Sequence, residues 1–350
     1  PKGKEKKIEG AYFKEDLRRA QIHEIGLVAY PSRVIDVYST KFEEHLNVEA
    51  VRSSNSKLVI DYAYAVSGAV LPVLLGKFDC DAVVLNASLR PNAVSAVERE
   101  AMLGQLGQVV QALQATFGVQ VSANGEQFVL VDEVGTPIRG ELLTALITHM
   151  VLTANPRGTV VVPVHATGAI EHIARRHDGS VIRTKVNPTA LMEACQANEN
   201  VVLGGSSDMG FIFPQLHPGF DAMFCIAKLI EMLTIQEHTL GHIWSDLPRI
   251  SHRSQTLRCP WTAKGALMRH LVETHPAEQL ELVDGVKILD PTIDGWILVL
   301  PDAGEPLVHI YANSENRDWV DEKLNEYRQR VLAFIEQEQG IHQSYQETAS

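Results

Sequence analysis

Residues 115–141, ATFGVQVSANGEQFVLVDEVGTPIRGE, decide the fold, because they read without a break as strand, loop, strand, tight turn and helix start. Phe117, Val119 and Val121 alternate, and Val129 and Val131 do the same with Phe128 and Leu130 on the other face. This period-two pattern predicts two short half-buried strands. Between them lies Ser122-Ala123-Asn124-Gly125-Glu126-Gln127, where oxygen-bearing side chains recur at every second position around a glycine that lets the backbone curl. Such spacing suits a loop wrapped around a hard cation, yet only Glu126 is a carboxylate. Replacing two anions by neutral oxygens forfeits on the order of several kcal/mol of attraction to a divalent ion. A polar hairpin loop accounts for the same residues.

Upstream, Lys57-Leu58-Val59-Ile60-Asp61 predicts a strand that runs into small residues at 62–69, followed by a strand at 81–86 and a long helix at 94–114. A strand, a glycine-bearing turn and a helix suggest a phosphate cradle. The Gly-x-Gly-x-x-Gly and Gly-Lys-Ser/Thr spacings are absent, and a plain strand-to-helix turn serves equally. Downstream come a helix at 141–152, a buried strand at 159–164, a helix at 167–177, and Asn187 as an N-cap with Pro188 at the first helical position. A strand and glycine turn at 201–210 lead to an amphipathic helix at 220–235, whose Met223, Ile226, Ile230 and Leu233 are core. Residues 248–259 are polar and basic enough to read as a linker. Beyond them, a helix at 262–273, strands at 287–289, 296–300 and 308–311, and a helix at 318–337 make a small sheet with helices on one face. The fold class is therefore α/β: two mixed three-layer α/β domains followed by a small α+β domain with its helices on one face of an antiparallel sheet.

Composition narrows the function. The 350 residues carry a formal charge of −12, which argues against nucleic acid as a partner. Cys80, Cys195, Cys225 and Cys259 form no Cys-x-x-Cys pair and read as thiols in a reducing cytoplasm. No apolar run is long enough to span a membrane, and the basic start, Lys2 to Lys7, lacks the apolar stretch of a signal peptide.

The organising stretch resembles the metal loop of the α-D-phosphohexomutases, the phosphomannomutase and phosphoglucomutase superfamily. There a strand leads into Asp-Gly-Asp-x-Asp-Arg, a second strand and an Asp-Glu-x-Gly turn. The turn is kept as Asp132-Glu133-Val134-Gly135, while the aspartates fall on Ser122, Asn124 and Glu126 and the arginine on Gln127. Arg183-Thr184-Lys185-Val186-Asn187-Pro188 matches Arg-Thr-x-Val-Gly-x without its glycine. Gly204-Gly205-Ser206-Ser207-Asp208-Met209-Gly210 resembles the sugar loop Gly-Gly-Glu-x-Ser-Gly-His, with the acid, serine and histidine replaced by Ser206, Asp208 and Gly210. The phosphate loop Arg-Pro-Ser-Gly-Thr-Glu-Pro falls on Leu300 to Pro306, where Asp302 would repel an anion. The resemblance divides the chain into residues 1–55, the tail of a truncated first mutase-like domain carrying Asp16-Leu17-Arg18-Arg19, then a second domain at 56–140, a third at 141–255 and a C-terminal domain at 256–340.

What it implies is nucleotide-sugar and carbohydrate metabolism in the cytoplasm. With a family side chain replaced at each landmark, the expectation is a degenerate active site. The chain then reads as a non-catalytic region of a mannose-1-phosphate guanylyltransferase type of fusion protein, serving assembly or effector binding. Its partners would be a nucleotidyltransferase domain of the same polypeptide and a sugar phosphate or nucleotide effector, with self-association left open. No catalytic residue, metal or other cofactor is expected, and Arg183, Lys185, Gly204, Gly205, Ser206 and Asp208 are the candidate ligand contacts. The alternative is an active phosphomannomutase or phosphoglucomutase with divergent metal and phosphate loops, using Mg2+ at Glu126.

The family's phosphorylated serine sits in a Ser-His-Asn loop that does not occur here, and Thr348-Ala349-Ser350 imitates only its first letters. Among the 14 histidines, His165, His172, His177, His217, His238 and His242 are open to acid/base or metal roles. None belongs to a His-Glu-x-x-His motif, and helix faces in solvent explain their spacing. No Gly-x-Ser-x-Gly elbow anchors an acyl-transfer triad.

Overall fold

A computed structural model describes residues 2–15, 19–30, 33–90 and 94–348. Asp16, Leu17 and Arg18 of the N-terminal motif, Pro31 and Ser32, and Ala349 and Ser350 of the C-terminal imitation lie outside the described residues. The chain forms two compact units, residues 1–38 and 39–350. The first holds helix α1 (Lys2–Phe13), a 3-10 turn at Ile22–Glu24 and the start of α2 (Val34–Glu44). Ile22, Leu27, Val28 and Tyr30 are exposed within it.

In the larger unit, α2 ends with Phe42 buried, and α3 (Val48–Ser53) follows, capped by the Asn47 side chain on Ala50 N. Strand β1 (Lys57–Asp61) begins a five-stranded sheet, with α4 (Leu71–Lys77), β2 (Asp81–Leu85) and α5 (Ala96–Leu113) after it. Strands β3 (Phe117–Val121), β4 (Phe128–Val131) and β5 (Pro137–Ile138) complete the order β2-β1-β3-β4-β5. β1 runs parallel to β2 and β3, while β3 and β4 form the antiparallel hairpin that the alternation predicts. β3 is buried at all five positions rather than half-buried. One reason is α5, whose Leu106 and Val110 lie so close to Gly118 that a Cβ there would meet a Val110 methyl at 2.5 Å.

The Asp-Glu-Val-Gly turn is held for reasons of packing. Asp132 Oδ1 accepts from Val134 N (3.1 Å) and Thr136 N (2.7 Å), and Gly135 takes φ +85°. A Cβ on Gly135 would stand 2.7 Å from the Gly107 carbonyl oxygen of α5, and one on Gly107 would stand 2.6 Å from that of Gly135. Glu133 accepts from Gly241 N at 3.3 Å, in the first turn of a later helix whose N-terminal amides favour an anion.

The second sheet follows helix α6 (Glu141–Ala154) and contains β6 (Thr159–Pro163), α7 (Ala169–Arg176), β7 (Ser180–Thr184), α8 (Pro188–Ala197), β8 (Val201–Ser206) and β9 (Gly210–Ile212). Its order is β7-β6-β8-β9, parallel except at the edge strand β9. Asn187 caps α8 as the Asn-Pro pair predicts, accepting from Thr189 N at 2.8 Å. Helices α9 (Ala222–Gln236) and α10 (Leu240–Asp246) come next, and α9 carries Phe224 against Phe42 at 5.1 Å between ring centroids.

The third sheet is antiparallel throughout, in the order β10-β14-β13-β12-β11. It consists of β10 (Ser251–Arg258), β11 (Leu280–Glu281), β12 (Val286–Asp290), β13 (Gly295–Pro301) and β14 (Leu307–Ser314). Helices α11 (Trp261–Glu273) and α12 (Arg317–Thr348) cover one face through Leu267, Val320 and Val331. Two mixed α/β sheets and this C-terminal α+β sheet are the architecture that the pattern predicts. The exception is the polar run read as a linker, which is strand β10 paired along its length with β14. Its polarity is that of an edge strand, where charged residues shield unpaired backbone groups.

Candidate functional site

Two loops meet at the carboxyl ends of the first two sheets. The loop at 122–127 closes the β3–β4 hairpin, and the loop at 206–210 closes β8–β9. In the first, Ser122 Oγ donates to Asn124 Oδ1 at 2.7 Å and Asn124 Nδ2 to Glu126 Oε2 at 2.5 Å. The three side chains therefore converge, with Gln127 N on Ser122 Oγ at 3.0 Å to fix the turn. Gln127 reaches across to the second loop, where its Nε2 donates to the Asp208 carbonyl oxygen. Gly210, at φ +104°, lies so close to the Glu126 carbonyl that a Cβ would overlap it. Gly205, at φ +113°, has the Gly210 carbonyl where a Cβ would stand, and a Cβ on Gly204 would overlap Cys195 Sγ. These glycines shape the loop.

Asp208 stands at the tip of this loop with its side chain 53% exposed. Its Oδ1 accepts from Ser206 Oγ, and its Oδ2 lies 3.0 Å from Nε2 of the buried His165. Burial works to raise the Asp208 carboxyl, and the bonds to His165 and Ser206 outweigh it, so the group lies below the usual carboxylate range. His165 lies two residues beyond the end of β6, and its ring is tilted against Tyr311 at 5.3 Å between centroids. Glu141 lies behind the pair, its Oε2 accepting from Thr167 N at 2.6 Å, with its carboxyl pushed up by burial. Thr144 Oγ1 accepts from Ser207 N at 3.0 Å, which ties the loop to α6.

The other candidates part company here. Arg183 uses all five N–H groups on Glu171 and on the carbonyls of Pro163, Ala166 and Thr167, and has no donor left for a ligand. Lys185 is exposed. The C-terminal loop is closed on itself: Asp302 Oδ1 accepts from Gly304 N and Glu305 N at 2.8 Å each, and Oδ2 lies 3.0 Å from His309 Nε2. The His309 bond, then those two amides, draws the Asp302 carboxyl down to about 2. Lys264 Nζ donates to the Asp302 and Glu305 carbonyls. Of the remaining histidines, His172 bridges Asp294 (3.3 Å) and Glu315 (3.8 Å), and His177 stacks edge-on with His149.

The pairing of His165 with Asp208 is not among the sequence expectations. The available signal was position, since His165 lies just past an apolar parallel strand, at the end where open α/β sheets place their ligands.

Among the described residues no three His, Cys, Asp or Glu side chains gather as a metal set, so a cation at 122–127 would rest on mixed donors. Those donors suit magnesium, which keeps several waters and takes one or two carboxylates together with substrate phosphate. Glu126, with the Asn124 and Ser122 oxygens beside it, meets that requirement.

Residues 36–135 match the family model "Phosphoglucomutase/phosphomannomutase, alpha/beta/alpha domain II", and residues 139–250 match domain III of the same family. A phosphoglucomutase/phosphomannomutase of Thermococcus kodakarensis is 28% identical over 340 residues, covering 96% of this chain and 73% of that protein. A solved phosphoglucomutase/phosphomannomutase family protein from Burkholderia thailandensis superposes with a TM-score of 0.72 at 19% identity, covering 86% of this chain and 64% of that one. The chain thus spans a little under two thirds of that structure. The N-acetylphosphoglucosamine mutase of Aspergillus fumigatus, solved with GlcNAc-6P and magnesium, superposes with a TM-score of 0.57 at 12% identity, covering 88% of this chain and 67% of its own.

These findings correct three expectations. A non-catalytic region of a guanylyltransferase-type fusion does not stand, because a protein named as a mutase matches along 96% of the chain. The degenerate site goes with it: counting lost family side chains overlooked that Ser122, Asn124 and Glu126 still converge and that Asp208 has a built setting. The expectation of no cofactor is overturned by the magnesium in the Aspergillus structure, and it asked for more carboxylates than magnesium needs. By its two consecutive domain matches and the architecture around them, the chain belongs to the phosphohexomutase superfamily.

Proposed function

We propose that this chain acts in phosphohexomutase chemistry, moving a phosphoryl group between hydroxyls of a hexose phosphate with magnesium. The observation that carries this reading is the meeting of the two loops, with Gln127 bonded to the Asp208 carbonyl and Gly210 against Glu126. Glu126, Asn124 and Ser122 would hold the ion. Bound magnesium supplies positive charge against the charge spread over the transferring phosphoryl oxygens. Asp208 faces the sugar with the buried Ser206 behind it, Gly204 and Gly205 give their loop its shape, and exposed Lys185 offers a cation to the substrate phosphate. Four free thiols support a cytoplasmic setting.

The test is turnover of glucose 1-phosphate, mannose 1-phosphate and glucosamine 1-phosphate with magnesium and a hexose bisphosphate. Glu126→Gln, which removes the only carboxylate of the metal loop, is expected to lower kcat by about 100-fold. Activity with none of these substrates would overturn the reading.

A further inference from the structure

We propose that Asp208 is the proton acceptor for the sugar hydroxyl that receives the phosphoryl group, with His165 and Ser206 as the residues that position it. The inference rests on the mutase reading above and adds to it a role for a side-chain pair. Asp208 is the only ionisable residue between Gly204 and Gly210. Each of its carboxylate oxygens takes one internal hydrogen bond, Oδ1 from Ser206 and Oδ2 from His165, and the side chain is otherwise half open. Each oxygen keeps lone-pair capacity directed outward.

His165 makes this arrangement unusual. An ionised carboxylate only accepts, so Nε2 must carry the hydrogen that it shares with Oδ2. The other ring nitrogen, Nδ1, is buried without a hydrogen-bond partner. The residue is 5% exposed and its ring lies against Tyr311. Buried polar atoms are nearly always paired, so a ring that leaves one nitrogen orphaned is held for the bond its other nitrogen makes. Arg183 is saturated, and the groups packed nearby are Glu141, the half-buried His252 and the Tyr311 phenol, pushed up to about 12 by burial and by Asp208, Glu141 and Asp302.

In the step, the hydroxyl oxygen attacks the phosphorus of a phosphate monoester. A new O–P bond forms as the O–P bond to the donor oxygen breaks. The hydroxyl proton passes to Asp208, and the released alkoxide takes a proton from solvent. A positioned base of this kind contributes about 10² to 10⁴ in rate.

The experiment measures Asp208→Asn on a hexose phosphate that the wild type turns over, beside calorimetric binding of the same compound. The expected result is kcat lower by about 100- to 1,000-fold with KM and Kd within threefold. His165→Gln, which can still present an N–H to the carboxylate, should keep most of kcat, and His165→Phe should lose about tenfold or more. Should Asp208→Asn fail to fold, Ser206→Ala carries the test, with an expected kcat loss of about three- to tenfold at unchanged Kd. A kcat within threefold of wild type in Asp208→Asn, a loss confined to KM and Kd, or equal effects of the two His165 variants would each overturn the proposal. Those outcomes leave the mutase reading standing. A wild type inactive on every hexose phosphate overturns both.

Discussion

Asp208 and Asp302 make opposite use of the same side chain. Each stands in a loop that joins two strands, and each has a histidine 3.0 Å from Oδ2. At Asp302 the other oxygen turns back on its own loop and takes the amides of Gly304 and Glu305, while Lys264 covers the Asp302 and Glu305 carbonyls. At Asp208 the other oxygen takes only the Ser206 hydroxyl, and the loop is supported from outside by Gln127 and Thr144. A loop that satisfies its own donors has none to offer an anion. One held by its neighbours keeps a face for a substrate. The repulsion expected from Asp302 is therefore only half of the matter, since its carboxylate already takes the Gly304 and Glu305 amides of the loop.

Three measurements would break or sharpen this contrast. The largest effect is expected from Gly205→Ala, since φ +113° and the Gly210 carbonyl both oppose a Cβ there. It should cost about 4 kcal/mol or more, read as a lowered denaturation midpoint, and a cost below 1 kcal/mol would mean that the open loop is not pinned.

Next is the pH dependence of stability. Burial is the main cause that holds His252 down at about 4, against the opposing bond to Asn313. The unfolded chain binds a proton there from about pH 6.5 downward and the folded chain does not. Stability should fall as pH drops from about 6.5 to about 4, by about 3 kcal/mol at most, and His252→Gln should flatten that limb. Asp302 titrates in a separate window: its contribution is complete above about pH 4 and is lost as pH falls towards about 2. An unchanged pH profile in His252→Gln would show that the histidine is solvated.

The smallest effect is Asp302→Ala, which frees two amides. Inorganic phosphate should then bind about tenfold more tightly, at a stability loss of about 1–2 kcal/mol, and calorimetry showing no gain would mean that the closed loop is not a filled anion site.

Much of the frame was legible in residue order. The alternation on both sides of Ser122–Gln127 specifies the hairpin, and the Asp-Glu-Val-Gly turn survives because Asp132 ties its amides and Glu133 meets the start of α10. The site was less legible, because it depends on partners far apart in sequence. His165 and Asp208 are brought together by the parallel pairing of β6 and β8, and no local pattern announces that contact. Arg183 carried a family signature, yet its donors end on Glu171 and three carbonyls, which only the folded chain reveals. Strand β10 was hidden by its polarity, since an edge strand needs no apolar run.

The facing pair Gly107 and Gly135 has an evolutionary consequence. Each occupies the space a side chain on the other would need, so neither can accept a larger residue while its partner gives way, because both are already at the minimum. Drift at the tip of the hairpin can go on one residue at a time, but this seam has no stepwise escape, and it should outlast any particular choice of side chains at 122–127.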